Sequence, residues 1–165
     1  MVLAPAATHR MNTFTRFFQR TGRERALFFE ALLYLAWAKI LVRTLPFRRL
    51  AARLGQAQRQ TPETITPRER ALAVDISWAV QAAARHVPLG FVCLPQAIAA
   101  HRMLRRRGLP ATLYLGVASD PAKREILTAH AWLRAGDKIV TGENEIAGHV
   151  VVATFASDVP APSPG

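Results

Sequence analysis

One sulfur and five imidazoles are the groups in this chain best suited to nucleophilic and proton-transfer chemistry. The sulfur is Cys93, in "GFVCLPQAIAAHRMLRRRG", just ahead of a helical pattern with Pro95 in its opening turn. A cysteine at a helix start sits at the positive end of the aligned peptide dipoles, which favours thiolate over thiol. Further on, "AHAWL" alternates as a strand does, with His130 and Trp132 on one face and Ala129, Ala131 and Leu133 on the other. A cysteine at a helix start and a histidine on a neighbouring strand, with a third group to orient the imidazole, make the general arrangement of thiol hydrolases. The imidazole takes the thiol proton and later gives it to the leaving amine, while N–H groups at the helix start stabilise the oxyanion. Packing alone is the competing account of Cys93, because free cysteine is among the most buried residue types.

Those two residues need a scaffold, and the chain supplies signals for one. "TGRE" (Thr21–Glu24) fits a capping box, opening a helix that runs to about Arg43 before Pro46 stops it. A short basic helix is expected over 47–54, and "GQAQRQTPETITPRER" reads as a linker. Its end, "TPRE" (Thr66–Glu69), is a second capping box with Pro67 at the first helical position, opening a helix to about Arg85. In the helix that starts at Cys93, Leu94, Ala97, Ile98 and Leu104 form one apolar stripe, with the arginines mostly off it. The period then changes to two: "ATLYLGVA", a hairpin turning near Ala135–Asp137, and a strand over His149–Phe155. Helices first and strands afterwards predict an α+β domain with a small antiparallel sheet. The expected organisation is a disordered lead-in over 1–20, a helical segment over 21–60 that packs on the core or docks partners, a catalytic core over 61–156 and a flexible tail over 157–165.

Composition narrows the function classes. A single cysteine excludes an internal disulfide framework and points to a reducing compartment, read here as the cytoplasm. No His, Asp or Glu cluster has metal-ligand spacing and no glycine-rich phosphate loop occurs, so neither a metal nor another cofactor is expected. The net charge is +11, and residues 1–60 hold eleven basic side chains against only Glu24 and Glu30. A second cluster is Arg102, Arg105, Arg106 and Arg107. Such surfaces are either solvated faces or sites for acidic partners. A basic module for nucleic acid or membranes is therefore the non-enzymatic alternative, but no base-reading or stacking motif accompanies the charge. "ALFFEALLYLAWAKILV" is short for a membrane span and carries Glu30 and Lys39, which leaves at most peripheral membrane contact.

"CLPQAIAAHRMLRRRGLPATLYLGV" followed by "AHAWL" resembles the transglutaminase-like leader peptidases of lasso-peptide biosynthesis. The upstream "EALLYLAWAKILVRTLPFRRLAARLG" is similar to the apolar-then-basic helical lead of that family, so the likeness covers roughly Arg25 to Phe155. It implies a papain/transglutaminase-like fold and a cysteine peptidase that removes the leader from a ribosomally made precursor peptide. Cys93 then matches the nucleophile and His130 the general base.

The third member is where the chain departs. The family's aspartate falls on Gly142, so the resemblance leaves Glu143 as the favoured carboxylate, with Asp137, Asn144 or a backbone carbonyl as substitutes. The resemblance further implies a stand-alone peptidase served by a separate leader-recognition protein and an ATP-dependent lasso cyclase, with ATP belonging to the cyclase. The helix over 26–42 and the basic segment around Arg48, Arg49 and Arg53 are candidate docking surfaces. Transamidation on the same scaffold is the alternative chemistry. The other histidines carry little weight: His86 reads as a loop residue, His101 as a packed or partly exposed one, and His149 as the start of a strand.

Overall fold

The computed structural model describes residues 21–86, 90, 92–119 and 127–157; the expected lead-in, and all but the first residue of the expected tail, lie outside them. Both capping boxes form. Glu24 N donates to Thr21 Oγ1 at 3.3 Å while the Glu24 carboxylate accepts from Thr21 N at 2.9 Å. Thr66 and Glu69 repeat the exchange at 3.3 and 2.7 Å. They open helices α1 (Gly22–Thr44) and α3 (Pro67–His86), with a short α2 (Phe47–Ala51) between them. His86 is thus the last residue of α3 and not part of a loop; its Nδ1 lies 2.7 Å from the Ala82 carbonyl oxygen.

Helix α4 (Cys93–Arg105) is central. The sequence predicts one apolar stripe, but Ala97, Ile98, Ala99, Ala100, His101, Met103 and Leu104 are all buried. The reason is that α1 and α3 pack on it from one side and the sheet from the other. Small side chains at 97, 99 and 100 let those neighbours come close, and each buried methylene contributes about 0.8 kcal/mol. Glu30, unexpected in an apolar helix, is satisfied from the end of this element: Arg107 reaches its two oxygens at 3.0 and 2.6 Å. Arg102 lies over the Trp37 ring at 5.5 Å. Part of the arginine cluster therefore ties α4 to α1.

The sheet holds β1 (Gln56–Ala57), β2 (Thr112–Ser119), β3 (Leu127–Ala135), β4 (Lys138–Thr141) and β5 (Val150–Ala156), in the antiparallel order β1-β5-β2-β3-β4. One face, with Leu113, Ala131, Leu133 and Phe155, joins the helical core. The other carries Tyr114, Gly116, His130, Trp132 and Arg134, in register across β2 and β3. Alternation alone predicts that this second face is wet, yet Thr112, Tyr114 and Arg134 are buried. The supposed linker covers them. Thr61 N donates to Thr112 Oγ1 at 2.8 Å, Tyr114 Oη donates to Gln60 Oε1 at 2.8 Å, and Arg134 donates to the Thr61 carbonyl at 3.0 Å. A buried guanidinium needs such acceptors, because a lone charge in the interior is costly. The helical segment and the sheet thus share one core, which joins the expected 21–60 and 61–156 segments.

Candidate active site

Cys93 is the first residue of α4, half-buried, and preceded by Val92 in an extended conformation with no side-chain cap. Pro95 has no N–H to offer, and Gln96 N is turned back to the Val92 carbonyl at 3.4 Å. The N–H groups of Cys93 and Leu94 consequently have no acceptor among the described residues. Uncapped donors at a helix start are an anion site by construction. Here they lie next to the sulfur.

His130 is buried on β3, between β2 and β4. Its Nε2 lies 2.8 Å from the carbonyl oxygen of Gly142. A carbonyl can only accept, so Nε2 carries the proton and Nδ1 is left with a bare lone pair in the neutral ring. Nδ1 makes no hydrogen bond among the described residues, and the acid nearest it is Glu145, with Oε2 at 3.4 Å. In the neutral ring this approach is unfavourable, because a carboxylate oxygen and a bare lone pair repel each other. Once Nδ1 is protonated, the same pair becomes an ion pair, weakened by the 73 % exposure of Glu145.

Gly142 is there for two physical reasons. Its φ is +79°, and a Cβ would meet the Ala131 carbonyl oxygen at 2.7 Å, Trp132 Cβ at 2.8 Å and His130 Nε2 at 2.9 Å. Only glycine brings its carbonyl to the imidazole at this point, immediately after β4 ends at Thr141.

A cleft of about 620 Å³ brings Cys93, His130, Gly142, Glu143, Asn144 and Glu145 together, with Arg85 and Gln96 on its helical side. Of the residues expected from sequence, Cys93 and His130 share this cleft, and Glu143 lines it with its carboxylate paired elsewhere than on the imidazole. The Glu143 carboxylate is instead 3.4 Å from Lys138 Nζ. Asp137 belongs to the β3–β4 turn and pairs with Arg70 of α3, whose guanidinium hydrogen bond holds its carboxyl below the usual aspartate range. A backbone carbonyl is among the orienting groups expected from the sequence, and the one at the imidazole is that of Gly142; the carboxylate of Glu145 is not foreseen there. A carbonyl's role has no residue-type signature, although a glycine where a family pattern expects a carboxylate is a cue to look at the main chain.

Around the imidazole the rings are ordered. Trp132 stacks on His130 with centroids 5.9 Å apart and planes 19° apart, and Tyr114 stacks on Trp132 at 5.4 Å. His149 sits 5.4 Å from His130, although its place at a strand start gave no hint of this. Among the described residues no three His, Cys, Asp or Glu side chains converge as a metal site. None of the described helices is long and apolar enough to cross a membrane.

A helix-start cysteine and a strand histidine opening into one cleft are what a family comparison must account for. The model of the transglutaminase-like superfamily matches residues 35–154, from the middle of α1 to Thr154 in β5. The chain belongs to the transglutaminase-like superfamily. Its α+β architecture, helices followed by a small antiparallel sheet, is the one expected from the sequence. Members are typically cysteine peptidases or transglutaminases. Comparisons with curated proteins and with solved structures found no match.

Proposed function

We propose that this protein is a cysteine peptidase that removes the leader from a ribosomally made lasso-peptide precursor. The observation that carries the reading is the shared cleft: Cys93 at the uncapped start of α4, and His130 with one nitrogen tied to Gly142 and the other bare. His130 Nδ1 takes the Cys93 proton, and the thiolate attacks the carbonyl carbon of the scissile bond. The negative charge that forms on the oxygen is met by the free N–H groups of Cys93 and Leu94. The C–N bond then breaks as His130 returns its proton to the leaving amine. Water, activated by the same imidazole, hydrolyses the thioester. The motifs "CLPQAIAAHRMLRRRG" and "AHAWL" support the lasso-precursor substrate within this chemistry.

The same reading gives the protein a cytoplasmic setting, a separate leader-recognition protein and an ATP-dependent cyclase as working partners. Helix α1 offers a surface for docking: Phe29, Leu33 and Ile40 are exposed, Leu33 by 72 %, and the basic segment Arg48–Arg53 follows it in the chain. The test is to incubate the protein with the precursor and its recognition protein and weigh the products. Two fragments that add up to the precursor plus one water, absent with Cys93→Ala, are expected. An amine adduct would assign transamidation instead, and cutting by Cys93→Ala would remove the thiol from the mechanism.

A further inference from the structure

Two rings bear on the imidazole from its own face of the sheet, and a missing side chain makes room for them. Gly116 pairs directly with His130 on β3 and with Val151 on β5. A Cβ there would lie 2.8 and 2.9 Å from Cζ3 and Cη2 of Trp132, and 3.1 Å from Cβ of His149. Its backbone does not require glycine, since its φ lies outside the positive range. Space is the reason. The Gly116 gap lets Trp132 come in along β3 and His149 come in from the approach to β5, so that both reach His130, at 5.9 and 5.4 Å.

The hydrogen bond from Nε2 to Gly142 fixes a single axis. An imidazole held by one N–H···O bond can still rock about it, because the torsion that turns the ring is soft. Rocking displaces Nδ1, which is buried and lies 3.4 Å from Glu145 Oε2. Stopping it takes contact with the ring itself, and Trp132 and His149 supply that contact. His149 does not owe its place to hydrogen bonding through Nδ1, which is buried and without a partner among the described residues. Its ring contact is with His130.

We propose that His149 is a positioning residue, whose ring works with Trp132 to confine the His130 imidazole and so hold Nδ1 in one place. The inference rests on the peptidase reading for its kinetic consequence but not for its geometry. It is a statement about ring shape, so phenylalanine should replace His149 and alanine should not.

The test compares His149→Ala, His149→Phe and Gly116→Ala in the full chain, by precursor cleavage and by nitrogen-detected NMR of the His130 ring. Misplacing a reacting group by about 1 Å costs up to roughly 100-fold, so His149→Ala should lose about 10- to 100-fold in kcat with KM changed by less than about twofold. His149→Phe should recover kcat to within about threefold. In the resting protein, His130 should show a protonated Nε2 and bare Nδ1 in the wild type and in His149→Phe, and a mixture of tautomers in His149→Ala. Wild-type kcat in His149→Ala, or equal losses in the Ala and Phe variants, would overturn the proposal. If His149→Ala does not fold, Gly116→Ala decides by the same kcat loss or its absence. If the wild type cuts no precursor, the peptidase reading fails while the ring signals still judge the positioning.

Discussion

Replacing Gly142 with alanine should damage stability and catalysis together, by amounts that follow from its surroundings. A non-glycine residue held in the left-handed region costs about 1–2 kcal/mol. The added Cβ would also sit 2.7 Å from the Ala131 carbonyl oxygen, which belongs to a central strand and cannot yield. The segment after β4 must therefore move, and the Nε2 hydrogen bond, worth about 1 kcal/mol net, is lost with it. Together these amount to roughly 2–3 kcal/mol, or a fall of about 5–10 °C in Tm for a chain of this size. The imidazole then loses both its tautomer and its aim, so kcat should drop about 100-fold. Calorimetry and precursor cleavage followed by mass spectrometry read the two effects. The comparison is Glu143→Gln, whose carboxylate pairs with Lys138 and not with the imidazole; its kcat should change less than about threefold. Gly142→Ala with normal Tm and kcat would refute the reasoning. So would a Glu143→Gln loss as large, which would make the carboxylate the orienting group.

Glu145→Gln should lower kcat by no more than about threefold, since the carboxylate is exposed and attracts Nδ1 only while that nitrogen is protonated; a larger loss by steady-state kinetics would give Glu145 a direct role. Asp137 gives a pH signature. Its carboxyl is held below the usual range by Arg70, so in acid the unfolded state binds more protons and the pair's stabilisation, present above about pH 4, is lost as pH falls through the folded value. The Tm difference between wild type and Asp137→Asn should therefore shrink from pH 5 to pH 2.5, and a constant difference would contradict the pairing.

Much of the scaffold can be read from local signals. Thr21–Glu24 and Thr66–Glu69 announce their helices because capping is a contact within one turn, and the strands after Ala111 declare themselves by alternation. What escapes depends on distant parts of the chain. Gln56–Ala57 is a strand only because Phe155 and Ala156 lie opposite it. The segment around Gln60 and Thr61 looks like a linker, yet it seals Thr112, Tyr114 and Arg134 from water. Around α4, burial on nearly every side comes from neighbours that a stripe of apolar residues cannot reveal. In the cleft, side-chain chemistry singles out Cys93 and His130 from the sequence. The role of Gly142 belongs to its carbonyl, and the nearness of His149 follows from a strand register visible only after folding.

Proton exchange between the Cys93 thiol and the His130 imidazole is the central claim, and the rate at which iodoacetamide alkylates Cys93 at pH 7 tests it most directly. An imidazole that accepts the thiol proton speeds this reaction, so His130→Ala should slow it by about tenfold or more while the protein stays folded. Equal rates in the wild type and His130→Ala would separate the two groups and contradict the account.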